Sequence, residues 1–213
     1  MEKICYLIGA MEPECVLFST KKSQLVIAAD GGLRHLEARG IQPDYVVGDF
    51  DSLGWIPSEG KVIRHPVEKD DTDMMLAVKT GLRQGCRTFV LYGGLGGRMD
   101  HTYANCQTLA YLAEHGGTGW LLGGGNAVTA LHNGTLHFPA ACTGTISVFC
   151  TSGTASGVTL RGLYYPLTDA VLTSSFPLGV SNQFTGVPAS VTVADGTLLI
   201  MWQEDPTSVV ERL

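Results

Sequence analysis

The residues best suited to chemistry are carboxylates at the ends of apolar runs. Asp30 closes LVIAAD, Asp49 and Asp51 follow YVV in VVGDFDS, HPVEKDDTD carries Asp70, Asp71 and Asp73, and GGLGGRMDH ends with Asp100 beside His101. Each alone reads as a turn former or helix N-cap. Gathered together they repel, and protons or a cation must compensate. Hard oxygen donors without a His or Cys cluster suit Mg²⁺, which takes one or two carboxylates and leaves its other positions to water and phosphate. The glycines of GGLGG, with Arg98 beside them, open a helix, an arrangement whose N–H groups suit phosphate oxygens. ADGGLRHL at 29–36 repeats it after an earlier strand. The D-x-D of GDFDS also fits a nucleotide-sugar glycosyltransferase, and it lacks the downstream ligands of an EF-hand loop. A non-catalytic nucleotide sensor is the alternative from another class.

In an open parallel sheet, ligands bind beyond the carboxyl ends of the strands, so the elements that place these carboxylates matter. YLIG (6–9), LVIAAD (25–30), DYVVGD (44–49), KVIRH (61–65) and TFVLYG (88–93) are β-branched runs flanked by Gly, Pro or Asp and read as strands. Between them lie helices. One starts near Asp70 with Asp71 and Thr72 as N-cap candidates, turns Met74, Met75, Val78 and Leu82 inward, and stops at Gly85. Another runs from about Asp100 to Gly116, with Tyr103, Cys106, Leu109, Ala110 and Leu112 inward. This alternation predicts an α/β domain over 1–125 with an open, mostly parallel sheet.

After GGGN the grammar changes to short strands, and Asn133–Gly134 and Asp195–Gly196 read as hairpin turns. Residues 126–213 therefore read as an all-β sandwich. Charged residues number 27 in 1–125 and 7 in 126–213, which leaves the second part an apolar surface to cover against another subunit.

The formal charge of −6, with no basic run, gives no general attraction to nucleic acid or an anionic membrane. No apolar run is long enough to span a bilayer and no leader pattern opens the chain, so a cytoplasmic protein is expected. The six cysteines form no C-x-x-C pair and read as buried free thiols. His35, His65, His115, His132 and His137 lack ligand spacing, and Trp120 and Trp202 read as core or interface.

The ordered set ADGG (29–32), PDYVVGDFDS (43–52), EKDDTD (68–73), GGLGGRMDH (93–101) and SNQF (181–184) closely resembles the thiamine pyrophosphokinase family over nearly the whole chain. The resemblance implies a homodimer that transfers pyrophosphate from ATP to the hydroxyl of thiamine and releases AMP. By matching position it implies Asp49, Asp51 and Asp73 as Mg²⁺ ligands, with Asp30 and Asp100 completing the acidic cluster. It implies Asp30, Gly31, Lys69, Asp70, Thr72, Gly94, Gly96, Gly97, Arg98 and His101 as ATP contacts, and Asp73, Asp100 and Arg98 as the catalytic set. Asp73 or Asp100 is the candidate for accepting the hydroxyl proton. Ser181, Asn182 and Phe184 match the thiamine-binding segment, Phe184 standing where some relatives carry a larger Trp. Sites shared between subunits follow, since SNQF lies in the β part and the carboxylates in the α/β part.

Overall fold

The computed structural model describes residues 3–19, 23–48 and 71–213, and the backbone of 61–64. Asp49, Asp51, Lys69 and Asp70 lie outside the described residues, as does His65. The five apolar runs form β1 (Lys3–Ile8), β2 (Ser23–Ala29), β3 (Tyr45–Gly48), β4 (Lys61–Arg64) and β5 (Thr88–Tyr92), all in parallel pairing. A sixth parallel strand not expected from the sequence, β6 (Thr118–Gly123), adds to β5. The helices are α1 (Gly32–Glu37), α2 (Asp73–Arg83), α3 (Met99–Glu114) and a C-terminal α4 (Pro206–Arg212).

Successive side chains of a strand face opposite ways, and both faces of this sheet are covered. Cys5 and Leu7 of β1 join a cluster with Met74, Leu76, Ala77 and Val78 of α2 and Cys106, Leu109 and Leu112 of α3. Ile4, Tyr6 and Ile8 join another with Leu33 and Leu36 of α1 and Val209 and Val210 of α4. Such strands read as unbroken apolar runs because neither face meets water. Thr72 caps α2, its side chain accepting the Met75 N–H at 3.2 Å, and Gly85 follows the helix at φ +82°. Met75 and Leu82 are only half-buried. On α3 the inward stripe is Asn105, Cys106, Thr108, Leu109 and Leu112, at helical spacing. Tyr103, expected inward, is 68% exposed, because it stands two residues, about 200° of helix rotation, before Asn105.

The remaining strands are β7 (Asn126–Phe138), β8 (Thr145–Cys150), β9 (Thr154–Arg161), β10 (Leu167–Thr173), β11 (Gly179–Gln183) and β12 (Ala189–Gln203). β7 pairs antiparallel with β6 and β12 runs antiparallel along β7, so the order β10-β9-β12-β7-β6-β5-β1-β2-β3-β4 is hydrogen-bonded throughout. The two expected hairpin turns are not turns. Both long strands run through them, and they face each other: residues 194–196 oppose Asn133 between the pairs Gly134 with Val193 and His132 with Thr197. Asn133 (φ +45°), Gly134 (φ +156°) and Gly196 (φ +117°) supply a bulge, and the Gly196 N–H donates to Asn133 Oδ1 at 2.9 Å. The left-handed tolerance that makes a tight turn also makes a bulge, and here the flanking residues pair across the chain. At the bulge β12 changes partner, pairing with β9 before it and β8 after it, while β10 extends β9 and β11 extends β8. Ile146 and Val148 of β8 share one cluster with Val158 and Leu160 of β9, which gives the C-terminal part a sandwich-like core.

Five cysteines are buried, Cys15 is half-buried, and all six are free thiols, as expected. Trp202 is buried and Trp120 half-buried. Among the described residues no helix is long and apolar enough to cross a membrane.

Candidate active site

The sheet grows outward from β1 in both directions, to β2, β3 and β4 on one side and, after α2, to β5 on the other. That reversal opens a crevice at the carboxyl ends of the strands. A cavity of about 450 Å³ lies there. It is lined by Gly9, Ala10 and Met11 after β1, Ala29 and Asp30 after β2, and Thr72, Asp73 and Met74 at the start of α2. Gly93, Gly94 and Gly96 after β5, with Arg98, His101, Ala104 and Asn105 around the start of α3, complete it.

Much of this wall is bare backbone, and the glycines explain why. The Gly9 N–H donates to the Tyr92 carbonyl at 2.8 Å and the Met11 N–H to the Gly93 carbonyl at 3.1 Å, so β1 and β5 stay together past their ends. A Cβ on Gly9 would lie 2.6 Å from the Gly93 oxygen, and Gly93 has φ +65°. The loop after β1 is held from behind. His35 Nε2 donates to the Ala10 carbonyl (2.9 Å), Arg39 to the Pro13 carbonyl (3.0 Å), and the Tyr92 hydroxyl to the Leu17 carbonyl (3.0 Å). The Tyr6 hydroxyl accepts the Ser19 N–H at 2.7 Å. Burial pushes both phenols above their ordinary range, which keeps them protonated.

The segment before α3 is fastened by the helix itself. Asn105 is buried, and its Nδ2 donates to the Gly94 carbonyl at 2.7 Å, in the space a Cβ on Gly94 would need. Thr102 Oγ1 accepts the Gly96 N–H and donates to the Gly96 carbonyl, both at 3.0 Å. The Gly96 amide is thus engaged within the protein. Arg98 precedes the helix and grips Asp100 with two hydrogen bonds, 2.6 Å from Nη2 and 3.2 Å from Nε, and Asp100 also accepts the His101 N–H at 3.0 Å. The guanidinium holds the Asp100 carboxyl below the ordinary carboxylate range, and the carboxylate raises Arg98 in turn.

Asp30 is 8% exposed and adopts φ +44°, a region Asp tolerates better than most residues; its N–H donates to the Val47 carbonyl at 2.8 Å. Gly48 leaves it room, since a Cβ there would stand 3.2 Å from Asp30 Cα and Cβ. Asp73 opens α2, where the positive end of the helix favours a carboxylate.

Of the expected site residues, the crevice brings together Asp30, Thr72, Asp73, Gly94, Gly96, Arg98 and His101. Gly31, Gly97 and Asp100 are close in sequence to its lining without belonging to it. Ser181, Asn182 and Phe184 lie elsewhere, on and just after β11. Ser181 is exposed at φ +57°, its N–H donating to Ser147 Oγ at 3.1 Å, and Phe184 is half-buried against Phe138, with ring centroids 5.3 Å apart. Asn182 is 3% exposed and its amide is spent on backbone. Oδ1 accepts the Tyr165 and Gln183 N–H groups, both at 2.9 Å, and Nδ2 donates to the Tyr165 carbonyl at 2.7 Å. Sequence reasoning did not anticipate Gly9, Ala10, Met11 and Asn105. The strand-end rule applied to YLIG would have found the first three, while a polar residue on the inward face of α3 was the signal for Asn105.

Two family models match the chain. "Thiamin pyrophosphokinase, catalytic domain" covers residues 18–118 and "Thiamin pyrophosphokinase, vitamin B1 binding domain" covers 134–198. The protein named thiamine pyrophosphokinase from Bacillus subtilis is 27% identical over 195 residues, spanning 87% of this chain and 90% of its own. The solved structure of thiamine pyrophosphokinase from Bacillus subtilis superposes with a TM-score of 0.79 at 24% identity, covering 96% of this chain and 100% of that one. That of thiamin pyrophosphokinase from Geobacillus thermodenitrificans gives 0.77 at 25% identity, covering 96% and 99%.

Proposed function

The chain belongs to the thiamin pyrophosphokinase family, an enzyme family that transfers pyrophosphate from ATP to thiamine, and from that premise we propose how its residues divide the work. The family match sets aside the glycosyltransferase and sensor alternatives. The observation that carries the assignment of roles is the crevice itself, which gathers Asp30, Asp73, Arg98 and His101 at the switch point. Attack of the thiamine hydroxyl on the β-phosphorus expels AMP. A primary alcohol is a poor nucleophile, so positioning and a base are needed. Asp73 lines the crevice, whereas Asp100 is exposed and gripped by Arg98, so Asp73 is the better placed to accept the hydroxyl proton. Arg98 and His101 meet the phosphates, and the loop fixed by Thr102 and Asn105 holds them in line.

The donor chemistry fits Mg²⁺: Asp30 and Asp73 both bring hard oxygens to the crevice lining, and Asp49 and Asp51 follow the strand beside Asp30 in sequence. Asp49, Asp51 and Asp73 would hold it, with Asp30 nearby. Bound there, it would neutralise charge on the phosphate oxygens.

We further propose a 1–125 nucleotide-binding part, a 126–213 thiamine-binding part, and a homodimer with shared sites. β11 stands apart from the crevice of its own chain, and exposed Tyr164, Tyr165, Phe176, Val180 and Val187 lie on the charge-poor part that carries it. Ser181 and Phe184 would then face the thiamine ring across the partner's crevice, with Asn182 bracing them. Six free cysteines suit a reducing cytoplasm.

One assay tests the reaction. With ATP, Mg²⁺ and thiamine, AMP and thiamine diphosphate should appear one to one, and label from the γ-phosphate should end in thiamine diphosphate. ADP with thiamine monophosphate overturns it. Mixing Asp51→Asn with a Ser181→Ala/Phe184→Ala variant tests shared sites. Exchanged subunits should regain at most about half the activity per mixed dimer, and no recovery after proven exchange rejects sharing.

A further inference from the structure

A second cavity, about 540 Å³, opens along α2 against the last turns of α3, and the proposed reaction does not use it. Among the described residues, Lys79, Arg83, Arg87 and His115 line it with a single carboxylate, Asp71, in a chain of formal charge −6. Lys79 is answered: its Nζ donates to both Asp71 oxygens, at 2.8 and 2.7 Å. The two arginines are not. Arg83 donates to the Lys79 carbonyl and the Thr80 hydroxyl, both at 3.3 Å, and Arg87 to the Cys86 and Leu82 carbonyls at 2.9 and 3.5 Å. These bonds orient the guanidiniums without neutralising them, and among the described residues neither meets a carboxylate. The imidazole of His115 stacks on Tyr111 at 3.9 Å with Nδ1 donating to the Tyr111 carbonyl at 2.7 Å, which gives the cavity a planar wall.

We propose that this groove is a second anion site, taking the phosphate group of a small phosphorylated ligand between Arg83 and Arg87. Guanidinium forks match phosphate oxygens in pairs, and two of them balance a phosphate dianion. A monocarboxylate would leave one positive charge unanswered. The site is coupled to the crevice by chain continuity. Asp71, held by Lys79 in the groove, is followed directly by Thr72 and Asp73 in the crevice wall. An anion that draws Lys79 from Asp71 loosens that turn, so occupancy should be read as a change in apparent KM for ATP.

The test uses the full chain with ¹⁵N-labelled arginine side chains, eight in all, the Arg83 and Arg87 signals being assigned from Arg83→Lys and Arg87→Lys. On titration with inorganic pyrophosphate these two Nε–H signals should move together and saturate, and should do so equally in an Arg98→Gln variant with a disabled crevice. Titration with inorganic phosphate and with AMP separates the sources: saturation at lower concentration by AMP names an organic phosphate, the reverse an inorganic one. In steady state, pyrophosphate should raise the apparent KM for ATP at least twofold more in the wild type than in an Arg83→Gln/Arg87→Gln variant, two exposed positions whose change leaves activity without pyrophosphate unaltered. Signals that stay still, or that drift without saturating as simple screening makes them do, overturn the site. Saturation with identical KM shifts in both proteins overturns its coupling to the crevice.

Discussion

Replacing Asn182 by Ala separates two roles that one residue type serves equally well. The amide makes three hydrogen bonds in a position 3% exposed: it accepts from the Tyr165 and Gln183 N–H groups and donates to the Tyr165 carbonyl. An intramolecular hydrogen bond contributes roughly 0.5–1.5 kcal/mol, and a partner left buried and unpaired costs about 1–3 kcal/mol. Tyr165 is 61% exposed, so water reaches part of the vacated backbone and the lower figures apply. Three bonds at about 1 kcal/mol each give a loss of about 3 kcal/mol. For a chain of this size that is about 6–12 °C in Tm. Urea unfolding followed by circular dichroism should show the midpoint falling with the slope unchanged, which reports stability rather than a change in the surface exposed. Below the transition, the KM for thiamine should rise far less than it does for Phe184→Ala. An Asn182→Ala protein within about 0.5 kcal/mol of wild type but with a tenfold higher KM for thiamine would refute the bracing role and make the amide a substrate contact.

A Gly9→Ala change puts a methyl 2.6 Å from the Gly93 carbonyl oxygen, a backbone atom, so β1 and β5 must part at the crevice. Turnover should fall at least tenfold, and a variant with normal kcat would show that the crevice tolerates spreading. Asn105→Ala frees the Gly94 carbonyl and should raise the KM for ATP several-fold while leaving that for thiamine nearly unchanged; equal effects on both would mean a general loss of structure. The Asp100 carboxyl, depressed by Arg98, contributes its pairing fully above the ordinary value of 3.8 and loses it as pH falls through the lower folded value. Its side-chain carbon signal should therefore titrate below 3.8, moving back toward that value in Arg98→Gln; a midpoint at or above 3.8 in the wild type contradicts the pair.

The parallel strands were legible because burial on both faces leaves nothing polar inside them: Ile4 to Ile8 are all fully buried. The carboxylates at their ends were legible because a charge after such a run has to meet solvent or a ligand. Asp30 and Asp73 line one crevice from two elements. Residues that act through backbone left no such mark. Gly9, Ala10 and Met11 carry no chemistry in their side chains; only their position just after β1 marks them, and backbone bonds from Gly9 and Met11 to Tyr92 and Gly93 fix them in the crevice. Asn133–Gly134 and Asp195–Gly196 misled for a related reason. The φ preference they express is local, but whether it makes a hairpin or a bulge depends on which partner the flanking residues find, and His132 pairs with Thr197 far along the chain.

That bulge is also where the two parts of the chain are tied together. Thr197 is fully buried, and its hydroxyl donates to Glu114 Oε1 at 2.8 Å, since a carboxylate can only accept. The same oxygen must then accept from His132 Nδ1, 2.9 Å away, which places the proton of His132 on Nδ1 and leaves Nε2 to accept from Asn133 Nδ2 at 3.2 Å. Asn133 completes the chain by accepting the Gly196 N–H through Oδ1. Every donor in the series has one acceptor, so the bulge holds one arrangement. Glu114 is the last residue of α3, and the first two turns of that helix carry Thr102 and Asn105, which fasten Gly96 and Gly94. One helix, about 24 Å long, is therefore clamped at one end to the loop that lines the crevice and at the other to the strand from which both β8 and β9 branch. The two parts of one chain are thereby held at a fixed spacing, and α3 is the strut that sets it.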